Sequence, residues 1–232
     1  MIDVSRGKKK RKAIQNKKRM KKIRAGKPVP FNLQNSPRKY AGFKNKYCYK
    51  TNIHNLIYKD GNFENVKFQA SNITECNFKN CTMIGIDFVG CNLKGTNFAG
   101  ATLEDVIFMN CNLDKAKFSN CKFKNVYFIM TDIGNCIGLP DNYEYLNRYP
   151  QFNVSEELQE AIIRLSNIEE SYRYHVLHVN KRKPNMWLIK ILLDRYGTEI
   201  GKALLIFSKK EGLKRLYTLH SYAKFIEKYL KI

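Results

Sequence analysis

Large apolar residues recur along the middle of the chain at every fifth position. Ile53, Tyr58, Phe63, Phe68, Ile73, Phe78, Met83, Phe88, Leu93, Phe98, Leu103, Phe108, Leu113, Phe118, Phe123, Phe128 and Ile133 make seventeen centres in phase. A helix buries side chains at a period near 3.6 and a strand at a period of 2, so neither produces this spacing. Two residues before each centre stands a mostly small residue, among them Ser71, Cys76, Cys81, Cys91, Thr96, Ala101 and Ala116. A five-residue unit cannot bury its apolar side alone and must stack on its neighbours.

A second period lies inside the first. Every twentieth residue repeats a triplet: "TNI" at 51–53, "SNI" at 71–73, "CNL" at 91–93, "CNL" at 111–113 and "TDI" at 131–133. Val66, Ile86, Val106 and Val126 form another such column, each two residues before a Phe. Like side chains stack on like, so residues twenty apart are expected one coil apart. Four five-residue faces then make a coil of square cross-section. The strings "CNLKG", "TNFAG" and "CNLDK" resemble the A(N/D)LXX pattern of the pentapeptide repeat family, from which the chain departs by placing Cys and Val where Ala is usual. The resemblance covers about 51–138. It implies a β-solenoid, a right-handed quadrilateral β-helix of a little over four coils, roughly 20 Å long at a strand-like ~4.8 Å per coil. It also implies a binding scaffold; the repeats show no convergent acid, base and nucleophile, so neither catalytic residues nor an enzyme is expected.

The positions beside each centre point outward. Three faces read as polar and mixed in charge, whereas the fourth projects Val89, Ile107, Met109, Tyr127, Ile129 and Met130. In the coil at 66–70 the same face offers only Lys67, Gln69 and Ala70. A growing apolar patch marks an interface. It lies where the chain leaves the rod, which favours cover by the following segment over a partner protein. The column Asn52, Asn72, Asn92, Asn112 and Asp132 reads as corner chemistry. Seven cysteines include no CxxC pair; six of them sit in the small inward column as fillers, and no metal or cofactor is expected.

Beyond the repeat, 139–154 reads as a Pro- and Tyr-containing linker and 155–232 as an all-α region of about four helices. Ser155 is the expected N-cap of a helix carried by Leu158, Ile162, Leu165, Ile168, Tyr172, Val176 and Val179 to about residue 180. Further helices are expected at about 185–196, from Thr198 to near Gly212, and from Leu213 to the C-terminus. "RYGTEIG" raises a helix-turn-helix, but the helix after it is apolar on most of its surface and reads as buried. His175 and His178 have metal-pair spacing without a third ligand nearby in sequence, and read as solvated or core residues.

Charge then changes the picture. The net charge of +22 is concentrated: residues 1–40 hold 15 Lys/Arg against one acid, a net +14, whereas 41–138 carry +3 and 139–232 carry +5. The segment 1–40 reads as a disordered polybasic tail. Lys8, Lys9, Lys10, Arg11, Lys12, Lys17, Lys18, Arg19, Lys21, Lys22, Arg24 and Lys27 are its candidate phosphate-binding residues. The expected partner is nucleic acid or a nucleoprotein complex such as a ribonucleoprotein, RNA and DNA being undistinguished. A type II topoisomerase of the DNA gyrase kind is the second reading, because some members of the resembled family protect such enzymes by imitating DNA with acidic rods. The near-neutral rod here has the wrong charge for that imitation. An anionic membrane surface is third, since only Ile14, Met20 and Ile23 could insert. No small-molecule substrate is expected. No apolar run spans a membrane and the basic N-terminus lacks a signal peptide's apolar stretch, so a cytoplasmic, nucleoid- or ribosome-associated protein is expected.

Overall fold

The computed structural model describes residues 30–32, 41–210 and 216–232. Residues 41–139 wind into a parallel β-solenoid of about five turns. The strands β1 (Pro30–Asn32), β2 (Lys44–His54), β3 (Asn62–Gln69), β4 (Asn72–Thr74), β5 (Thr82–Val89), β6 (Thr102–Met109) and β7 (Lys122–Ile129) form one sheet with β8 (Glu144–Leu146). From β3 to β7 the register is twenty throughout: Asn62 faces Thr82, Thr82 faces Thr102, and Thr102 faces Lys122. The remaining faces pair through single parallel bridges, such as Asn72 to Asn92 and Asn92 to Asn112. The twenty-residue period of the sequence is the length of one coil.

Stacked rings fill the interior. Phe68, Phe88, Phe108 and Phe128 form one column with centroids 5.1–5.3 Å apart, and Tyr58, Phe78, Phe98 and Phe118 another at 5.0–5.4 Å. The columns meet edge-on, as between Phe98 and Phe108 at 6.0 Å and 79°, a favoured aromatic geometry. Two centres precede Ile53: Cys48 and Phe43 both join this core. Phe43 closes the first coil by packing edge-on against Tyr58 and Phe63. Cys48 is small for a centre, which hides the phase of the pattern at that end.

Each corner is made by the residue at a multiple of five. All eighteen such positions from Asn45 to Met130 have positive φ, from +46° to +73°. Gly, Asn and Asp tolerate that conformation best, and thirteen of the eighteen are of those types. The Asn52 column lies beside the corner. Its oxygens serve the turn, Asn112 Oδ1 accepting from the Asp114 amide at 3.0 Å and Asp132 Oδ1 from Gly134 at 2.9 Å. Its amide groups also bond between coils, Asn72 to Asn52 at 3.1 Å and Asn92 to Asn72 at 3.0 Å. The cysteines do more than fill space. Cys81, Cys91, Cys111 and Cys121 donate their thiols to the carbonyls of Tyr58, Phe68, Phe88 and Phe98 at 3.0–3.3 Å, as the Thr96 and Thr131 hydroxyls do to Ile73 and Phe108. All seven are free, and burial pushes the Cys76, Cys121 and Cys136 thiols up to about 11.

The linker contributes β8, whose Glu144 faces Tyr127 only seventeen residues back, so the chain leaves the coil there. Tyr143 covers the open end edge-on to Phe128 at 5.3 Å. Among the described residues five helices follow: α1 (Glu156–Asn167), α2 (Glu169–Tyr172), α3 (Met186–Tyr196), α4 (Ile200–Ser208) and α5 (Leu219–Leu230). Ser155 caps α1 by accepting the Leu158 amide at 3.3 Å. The expected helix to residue 180 is not continuous. Ile168 turns extended and ends α1, α2 is a single turn, and His175 takes φ +49°. Residues 178–180 are instead β9 (His178–Asn180), paired antiparallel with β10 (Lys183–Pro184). Val176, Leu177 and His178 are all buried in succession, which one face of a surface helix cannot provide. Asn180 Oδ1 fixes the hairpin by accepting from the Arg182 and Lys183 amides at 2.9 Å. The last helix begins at Leu219, where Ser221 accepts the Thr218 amide at 3.5 Å, later than the expected Leu213. Among the described residues no helix is long and apolar enough to cross a membrane.

Candidate functional site

The fourth face of the rod meets the helices. Ile107, Met109, Tyr127 and Ile129 are buried in one apolar cluster with Leu158, Leu165, Leu192, Leu219, Tyr222 and Ile226, and Val89 packs at its edge. Met130 alone of the six stays open, 52% exposed. As a surface for a partner protein, the rest of this face is occupied by the chain's own helices, because their apolar sides need the same cover.

Toward the N-terminal end the same face turns polar and remains buried. Lys67 and Asp87, one coil apart, are 1% and 0% exposed. Asp87 Oδ2 accepts the Leu219 amide at 3.2 Å, placing a carboxylate at the start of α5, where the helix dipole favours it. Lys67 Nζ reaches the His175 carbonyl at 3.5 Å. Burial pushes the Asp87 carboxyl up to about 6, although Lys67 and the Leu219 amide pull the other way. Burial likewise draws the Lys67 ammonium below its usual range. The sequence signal for this pair was available: both stand in the column that continues as Ile107 and Tyr127.

The neighbouring corner column supplies the other contacts. Asp105 accepts from His220 Nδ1 at 2.7 Å, Arg195 at 2.9 Å and Asn125 at 2.9 Å. Burial alone would raise its carboxyl, but the His220 hydrogen bond and the Arg195 charge outweigh it and hold it at about 2. Arg195 also lies 3.7 Å from Glu227, which accepts the Tyr196 hydroxyl at 2.7 Å. Asn65 Oδ1 accepts the Thr218 and Ser221 hydroxyls at 2.9 and 2.6 Å. Gly85, at φ +66°, lets the His220 ring close on the corner; a Cβ there would stand 2.6 Å from His220 Cβ. Acids on the rod thus meet donors on the cap. This is the chemistry of a fixed joint between two parts, with the charged groups turned toward each other.

His175 and His178 do not converge on a common ligand set, and among the described residues no group of three or more His, Cys, Asp or Glu is placed to hold a metal. The candidate phosphate-binding residues Lys8 to Lys27 lie outside the described residues.

The family model described as the pentapeptide repeat region matches residues 86–136, and that of pentapeptide repeats (8 copies) matches residues 62–98. The two matches together cover residues 62–136. Similar solved structures include the pentapeptide repeat protein Rfr23 of the cyanobacterium Cyanothece 51142, at 20% identity and TM-score 0.36, covering 39% of this chain and 63% of that one. A pentapeptide repeat protein of the Arabidopsis thaliana thylakoid lumen matches at 19% identity and TM-score 0.42, covering 46% of this chain and 77% of that one. QnrB1, a plasmid-mediated fluoroquinolone resistance protein, matches at 10% identity and TM-score 0.27, covering 52% of this chain and 91% of that one. The match therefore spans under two thirds of Rfr23. No curated protein matches the chain.

Proposed function

We propose that the protein is a non-enzymatic binding scaffold, a rigid rod with a helical cap, tethered to nucleic acid or a nucleoprotein complex by Lys8 to Lys27. The uneven charge carries this reading. Residues 1–40 hold a net +14, while carboxylates on the rod are met by lysines one coil away: Lys44 with Glu64 at 2.8 Å, Lys94 with Asp114 at 2.8 Å and Lys124 with Glu104 at 2.7 Å. A surface neutralised in this way does not imitate the phosphates of a duplex, so a topoisomerase partner would be met through the basic segment. Seven free cysteines suit a reducing cytoplasm.

The test is fluorescence anisotropy with one single-stranded and one duplex oligonucleotide at several salt concentrations. Six phosphate contacts give a log–log salt slope of about −5. A variant lacking residues 1–28, which keeps β1 in place, should lose most affinity for both oligonucleotides and show a much flatter slope. The loss should be independent of sequence, since phosphate contacts position a protein without reading bases. Unchanged affinity and slope would remove the basic segment from the mechanism, and tight binding to anionic vesicles alone would favour a membrane surface.

A further inference from the structure

A cleft of about 400 Å³ opens between α1, the segment 152–154 and the β9–β10 hairpin. Phe152, Val154, Ile162, Ile163 and Pro184 supply its apolar walls. That volume lies within the range of small-molecule sites, and Ile163 is left 56% exposed at its edge. No Asp or Glu lines it, whereas Lys181 and Arg182 do. Neither of these two cations makes an ion pair among the described residues.

His178 sets where the charge of the cleft lies. It is 2% exposed, and its Nε2 stands 2.9 Å from the Ile162 carbonyl. A carbonyl only accepts, so Nε2 carries the hydrogen and Nδ1 is left as an acceptor, without a partner in the protein. Burial lowers its pKa and so favours the neutral ring. Positive charge is therefore confined to Lys181 and Arg182, on the exposed hairpin turn, and the recess behind them has apolar walls interrupted by Asn153, Gln159, Ser166 and His178. The basic segment at the chain's own N-terminus has the wrong charge to occupy it.

The geometry points to a binding site for a free amphipathic monoanion, an aliphatic body in the recess with a carboxylate on Lys181 and Arg182. The site is independent of the nucleic-acid reading, since it lies on the helical cap.

Isothermal titration of the full chain with octanoate, decanoate and decyltrimethylammonium, each below its micellar concentration, tests this. Each methylene buried should strengthen binding, so decanoate should exceed octanoate by about tenfold. Decyltrimethylammonium should bind at least tenfold more weakly than decanoate. The K181E/R182E variant, altered at two exposed side chains, should lose decanoate affinity by tenfold or more while keeping its melting temperature. Ser166→Leu, which narrows the recess, should weaken both carboxylates. If that variant unfolds, K181E/R182E decides alone. Equal affinity for decanoate and decyltrimethylammonium, no change in K181E/R182E, or binding to anionic vesicles without binding to free decanoate would each overturn the assignment.

Discussion

The buried pair at the joint makes the stability of the protein depend on pH in a defined direction. Asp87 is fully buried and its carboxyl is raised from 3.8 to about 6. Between those values the folded chain holds a proton that the unfolded chain has released. Stability therefore falls as pH rises through 3.8 to 6 and levels off above. A shift of this size corresponds to about 3 kcal/mol at pH 7, with about half already lost at pH 5. Lys67 shifts downward, so its folded form releases a proton before the unfolded form does, and its effect has the opposite sign below pH 10.5. The informative comparison is with the double variant Lys67→Met/Asp87→Asn. It lacks both titrating groups and keeps an oxygen to accept the Leu219 amide. Urea denaturation of both proteins between pH 3.5 and 7 should show wild type losing stability relative to the variant as pH rises, by at most about 3 kcal/mol because Lys67 acts in the opposite sense. A difference that stays constant, or grows in favour of wild type, would refute the burial of an under-compensated carboxyl beneath α5.

Two other changes probe the rod. Phe98→Ala removes a buried ring that touches Phe78, Phe88, Phe108 and Phe118 and should cost about 3–5 kcal/mol, whereas Cys111→Ala should cost on the order of 1 kcal/mol and Cys111→Ser, which keeps a donor toward Phe88, less; similar melting losses for Phe98→Ala and Cys111→Ala would contradict the assignment of inward columns. Met130 holds φ +46° with its side chain half exposed, so Met130→Gly should raise stability by up to about 1 kcal/mol in thermal melts, and a loss would mean that the side chain makes a contact that outweighs the strain.

The coils are legible because one physical demand repeats along them. Each inward position must match its neighbours twenty residues away, so Phe68, Phe88, Phe108 and Phe128 declare the stack in the sequence itself. Legibility fails where the demand is met once. Cys48 serves as a centre at the first coil without the size that marks the pattern, and it cuts Phe43, which closes that end, off from the run of large centres. The helical spacing through Val176 and Val179 misleads for a related reason. It scores positions along a continuous helix, while Val176, Leu177 and His178 are buried together by a turn that Ile168 and His175 create. Likewise the cleft at His178 joins residues from three segments with no common period.

The joint shows how a periodic element acquires a specific, aperiodic partner. Apolar cover alone would let helices slide along the stack, since Ile107, Met109, Tyr127 and Ile129 repeat at the coil spacing. The polar contacts do not repeat. Asp87, Asp105 and Gly85 each differ from the residues one coil above and below them, and each receives a different group of α5: the Leu219 amide, the His220 Nδ1 and the His220 ring. Moving α5 by one coil would place Leu219 beside Ile107 or Lys67 and leave Asp87 buried without its amide, an outcome costed like any unpaired buried charge. Residues that break the repeat on an outward column therefore fix where the cap sits, and Asp87 and Asp105 are the positions at which the sequence of the rod carries information about the helices.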